Sequence, residues 1–137
     1  MIHCTRIDGR RVWFATATLV LSTFGATLAQ ADDGWYQQSQ ATSGHQAFNN
    51  YCAQCHGPQL TGAAGPPLVG PSFLAHWGNR PLSSLYDFEH QSMPATNPGS
   101  VPPDQLWKIT AYILQKNGLP AGSTDAAANA SRQLPAK

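Results

Sequence analysis

Apolar residues recur at helical spacing most clearly near the end of this 137-residue chain. Leu106, Ile109 and Ile113, with Tyr112 beside them, follow a 3, 4 and 7 pattern that predicts an amphipathic helix with one buried face. Its ends are marked too: Pro102 and Pro103 suit a helix start, Asp104 favours the positive end and Lys116 the negative end, and Gly118 with Pro120 stops it. A second helix is expected over residues 37–51, with Ser39 as N-cap and Gly44 on the same face as Phe48. A glycine inside a helix costs about 0.5–1 kcal/mol relative to alanine, so a closely packed partner is expected at Gly44. A short helix is expected over 81–91, with Asp87 and Glu89 on a solvated face. Residues 57–72, "GPQLTGAAGPPLVGPS", are too rich in Gly and Pro for a regular element and predict an extended loop. Residues 32–36, "DDGWY", read as a short leader, and 121–137, poor in bulky apolar residues, as a mobile tail. There is no internal repeat.

The N-terminus departs from this pattern. Arg6, Arg10 and Arg11 stand against Asp8 alone, and residues 12–28 carry no charge. A basic segment, an apolar segment and the small side chains of Ala29 and Ala31 together predict an export signal cleaved after Ala31. The uncharged run is short and weakly apolar for a membrane span, which needs about 20 residues, so the mature chain is not expected to cross a membrane. Removal of residues 1–31 leaves 106 residues with five basic and six acidic side chains. A net charge near minus one excludes nucleic-acid binding through bulk electrostatics, and the length allows one small domain. No catalytic triad or pair of carboxylates can be argued, and no enzyme activity is expected.

Cleavage also removes Cys4, so Cys52 and Cys55 are the only thiols of the exported chain, and they lie in "NNYCAQCHGPQL" directly before His56. In an oxidising compartment such a pair can form a disulfide, a dithiol redox site, half a zinc site or the attachment point of a c-type haem. Zinc needs two further ligands, and no second Cys pair or close-spaced His follows. A dithiol site calls for a strand before and a helix after it, whereas Gly57-Pro58 breaks the chain here. Haem attachment uses every residue: two thioether bonds from Cys52 and Cys55, with the His56 imidazole as an iron ligand.

With that motif, the spacing of Gly44, Phe48 and Cys52, "GPPL" at 65–68, "SMP" at 92–94 and "WKITAYILQKNG" at 107–118, the region from about Gln40 to Gly122 resembles class I cytochromes c. The likeness is greatest to small bacterial periplasmic cytochromes associated with dehydrogenases. The resemblance implies an all-α fold in which N- and C-terminal helices cross, Tyr112 packing on the Gly44 and Phe48 face, while loops wrap one covalently attached haem c. The domain would span residues 32–122, followed by a flexible tail over 123–137. The resemblance also implies that the Pro66 carbonyl accepts the second N–H of His56, orienting it, and that Leu68 packs on the haem.

Met93 is the expected second iron ligand. It stands 37 residues after His56, is the only thioether left after cleavage, and precedes Pro94, which holds it extended. Its polar, Pro-flanked loop has no need of a core filler. His90, His76 and His45 are the rivals, His90 foremost. Trp77 and Arg80 are candidates for the haem propionates. His/Met ligation raises the reduction potential and implies a periplasmic electron carrier whose partners are redox proteins: a dehydrogenase, an oxidase or a membrane complex. A dedicated haem subunit of one dehydrogenase is the alternative, and a gas-binding or peroxidatic haem protein is the third class.

Overall fold

The computed structural model describes residues 34–136; the expected export signal, residues 1–31, lies outside them. Five α-helices follow in order: α1 (Gln38–Tyr51), α2 (Ala53–His56), α3 (Pro71–Trp77), α4 (Leu82–Ser92) and α5 (Pro103–Lys116), with a short 3₁₀ turn at Ala126–Asn129. Among the described residues there is no β-strand, only isolated bridges at Gln37–Gly122 and Pro81–Gln133. No described helix is long and apolar enough to cross a membrane.

The fold rests on α1 packed across α5. At the crossing, a Cβ on Gly44 would overlap the carbonyl of Lys108 and come within 3.0 Å of the Tyr112 Cβ, so only glycine lets the two backbones approach this closely. Phe48 is fully buried and its ring meets Tyr112 at 5.6 Å. The predicted stripe on α5 is the buried one, with Leu106, Ile109, Tyr112 and Ile113 all inside. Its first turn carries Asp104, bonded to Lys108 at 3.1 Å, an i,i+4 pair placed to complement the helix dipole.

Several local expectations need correction. Helix α1 begins after Gln37, not at a Ser39 cap, and no side chain caps it. The loop ends at Gly70, because Pro71 opens α3, where a missing N–H costs nothing. The supposed leader is core: Trp35 and Tyr36 are buried, and the Tyr36 hydroxyl donates to the Leu119 carbonyl at 2.8 Å. Residues 123–136 do not trail away either. Ala126 and Leu134 are buried, and the segment crosses the turn between α3 and α4, held by backbone hydrogen bonds.

Candidate functional site

The two cysteines and His56 are placed by continuing α1 through one further turn. The Cys52 N–H donates to the Phe48 carbonyl at 2.8 Å, and the Cys52 carbonyl accepts from His56 N–H at 3.0 Å. Gly57, at φ +75°, then turns the chain back over the motif, a conformation that costs glycine nothing. Backbone bonds from Gly62 to His56 (2.9 Å) and from Gly65 to Cys55 (2.8 Å) draw the Gly-Pro loop under the imidazole.

The loop brings the Pro66 carbonyl 2.8 Å from His56 Nδ1. A carbonyl can only accept, so Nδ1 carries the proton and Nε2 keeps a free lone pair. A side chain at Gly65 would fall 2.9 Å from the ring carbon Cε1, so the bare backbone there leaves the imidazole its room. Leu68 is tied by its N–H to the Leu60 carbonyl at 2.8 Å, and its own carbonyl accepts from Asn117 Nδ2 at 2.9 Å. Asn117 Oδ1 also accepts from Gly70 N–H at 3.0 Å, so the end of α5 anchors the loop. That role escapes the sequence, where Gly118 and Pro120 alone mark the end of the helix.

Cys52, Cys55, His56, Pro66, Leu68 and Met93 all line one cavity of about 620 Å³. Its size, its mostly apolar wall and its few convergent polar groups suit a large, flat, apolar cofactor. Met93 caps the C-terminal end of α4 with extended backbone, φ −124° and ψ 150°, as a residue before proline should. Of the rival histidines, His76 also lines the cavity. His90 does not, and stacks on Tyr86 at 6.1 Å; His45 stacks on Tyr112 at 4.8 Å. Trp77 contributes to the wall, whereas Arg80 lies outside it with its guanidinium 5.7 Å from the Trp77 ring centre.

The two thiols differ in their surroundings. Both are free, Cys52 half-buried and Cys55 exposed. Burial, reinforced by the nearby Glu89 and Cys55, pushes the Cys52 thiol up to about 12. A thiol raised in this way is a poor attacking group, since the thiolate is the nucleophile. Among the described residues no cluster of three or more His, Cys, Asp or Glu could hold zinc.

Glu89 is the surprise in the wall. Its expected place on a solvated face is wrong: it is buried, and it lines the cavity. Burial drives its carboxyl up to about 8, against a smaller opposite pull from Thr110, and Oε1 is without a hydrogen-bond partner. The signal was present, because Leu82, Leu85 and Glu89 share one helical face at 3 and 7 spacing, and both leucines are buried.

Residues 39–113, more than half of the chain, match the family model described as cytochrome c oxidase, cbb3-type, subunit III. The chain belongs to this cytochrome c family. No curated protein matches it. Among solved structures it is similar to the sulfane dehydrogenase SoxCD from Paracoccus pantotrophus, with 28% identity and a TM-score of 0.58, over 69% of this chain and 53% of that one. The chain thus spans about half the length of the solved chain that it matches. Together the family and the all-helical architecture make this a class I c-type cytochrome: an electron-carrying protein with covalently bound haem c.

Proposed function

We propose that this cytochrome is a periplasmic carrier of single electrons, holding one haem c through Cys52 and Cys55 with His56 and Met93 as iron ligands. When bound, the haem supplies the one-electron couple; the chain's own residues set its ligation and surroundings. The observation that carries the assignment is the bond from His56 Nδ1 to the Pro66 carbonyl at 2.8 Å. It fixes the tautomer, leaves Nε2 unprotonated and makes it more basic. The cavity supports the rest: its wall contains both thiols, this imidazole and one thioether, Met93. A soft thioether favours the ferrous state, which gives a relatively high-potential carrier. Donor and acceptor are redox proteins, a dehydrogenase or membrane complex on one side and a terminal acceptor on the other.

Replacing Met93 with Ala tests the ligand assignment. The thioether-to-iron(III) band should vanish and the reduction potential should fall. A thioether band missing already from the unsubstituted protein, with a potential that the substitution leaves unchanged, would assign the sixth position to another group, and of the rival histidines His76 lines the cavity.

The likeness to a sulfane dehydrogenase favours a second reading, in which the protein is the haem subunit or domain of one periplasmic dehydrogenase. Co-purification with such an enzyme at a fixed ratio supports it, whereas recovery of the cytochrome alone supports the diffusing carrier.

A further inference from the structure

Helix α4 has an N-terminus that its own sequence does not cap. The residue before it is Pro81, and no side chain accepts a hydrogen bond from the first turn. The first N–H groups of a helix have no partner within it, yet those of Leu82 and Ser83 are both satisfied. Leu82 donates to the carbonyl of Arg132 at 2.9 Å and Ser83 to that of Ala130 at 2.8 Å. The acceptors belong to the segment that follows α5, almost fifty residues along the chain.

The same segment grips the turn before α4. Asn79 N–H donates to the Leu134 carbonyl at 3.0 Å, and Leu134 N–H donates to the Arg80 carbonyl at 2.9 Å. Leu134 is buried as well, so the segment is seated by a side chain and by four backbone bonds. Its other contacts reach the N-terminal segment and α1. The Arg132 guanidinium lies 4.0 Å from the Trp35 ring centre and donates to the Gly34 carbonyl at 3.2 Å. Asn129 donates to the Trp35 carbonyl at 3.1 Å, and Gln40 of α1 accepts from Ala126 N–H at 2.8 Å.

We propose that residues 123–136 form a strap that caps α4 and thereby positions Met93 in the haem cavity. The strap fastens the start of α4 to the N-terminal segment and α1, the elements that lead into the cysteine motif. Met93 closes the other end of α4, its N–H bonded to the Glu89 carbonyl at 3.0 Å, and Leu85, Phe88 and Glu89 of the same helix line the cavity. A helix of three turns is too short to hold itself in water, so its placement depends on what it docks against. Trp77, directly before the gripped turn, is part of the same wall. Leu134 and Arg132 act here as positioning residues. The capping stands on backbone geometry alone; its consequence for Met93 rests on the ligand assignment proposed above.

The test uses the full, haem-loaded chain and two substitutions, Leu134→Ala, which empties the strap's buried seat, and Arg132→Ala, which cuts its hold on Trp35. Amide hydrogen exchange reads the cap, and the thioether-to-iron(III) band with carbon monoxide binding to the reduced protein reads the ligand. Exchange at Leu82 and Ser83 should quicken at least about tenfold in Leu134→Ala, with faster exchange along α4, while α1 and α5 keep their protection. The band should weaken and carbon monoxide should bind faster, and Arg132→Ala should show the same changes in smaller degree. Faster exchange confined to 123–136, with α4, the band and carbon monoxide binding unchanged in both variants, would overturn the proposal. Should the unsubstituted protein lack the thioether band, the ligand assignment fails, and exchange at Leu82 and Ser83 still decides whether the strap caps α4.

Discussion

The Thr110 hydroxyl stands 2.7 Å from a carboxyl oxygen of Glu89 and 2.9 Å from the Leu106 carbonyl. It has one proton to give. With that proton the hydroxyl donates either to the Glu89 carboxylate or to the Leu106 carbonyl, and both contacts are satisfied together when Glu89 is protonated and donates to Thr110. The upward shift of the carboxyl to about 8 agrees with that arrangement. Below about pH 8 a protonated Glu89 therefore joins α4 to α5 within the wall of an apolar cavity, where a charge would be costly.

The sign of the resulting pH dependence follows. Glu89 is raised from 4.5 to about 8 in the folded chain, so between those values the unfolded chain binds fewer protons than the folded one. The contribution of this group to stability is complete below the lower value, erodes as pH rises and levels off above about 8. In Glu89→Gln the side-chain amide can donate to Thr110 and cannot ionise. Denaturation of the haem-loaded protein at several pH values should show a shallower loss from pH 5 to 8 in the variant; parallel curves would mean that Glu89 is already charged.

Gly44 gives a prediction of opposite sense to helix propensity. Alanine is the better helix former by about 0.5–1 kcal/mol, but its methyl group would overlap the Lys108 carbonyl, and such overpacking costs about 1–3 kcal/mol. Gly44→Ala should be destabilised, with a melting temperature lower by several degrees, about 4–8 °C per kcal/mol in a domain of this size. Equal or greater stability would show that α1 and α5 do not meet backbone to backbone.

Those two residues also mark how far the sequence could be read. The Gly44, Phe48 and Tyr112 crossing was legible because each partner carries its role in its side chain: a missing Cβ, an aromatic ring, a place on an apolar stripe. The cysteine motif and the α5 boundaries were legible for the same reason. Glu89 was not, since a carboxylate is normally a surface residue and its burial depends on Thr110, a residue of another helix. The strap was hidden more completely. Most of its bonds to the α3–α4 turn run from backbone to backbone, and backbone groups are the same in every sequence; "AGSTDAAANASRQLPAK" shows only Leu134 as a bulky anchor. Trp35 and Tyr36 look like a leader until the distant carbonyls of Pro120 and Leu119 accept their N–H and O–H groups.

One absorption spectrum of the purified protein, recorded oxidised and then reduced, reaches the centre of this assignment. Thioether-linked haem bands should persist after acid extraction, and a weak near-infrared band should be present in the oxidised form and absent on reduction. A colourless protein with the sulfurs of Cys52 and Cys55 free, or joined to each other, would contradict it.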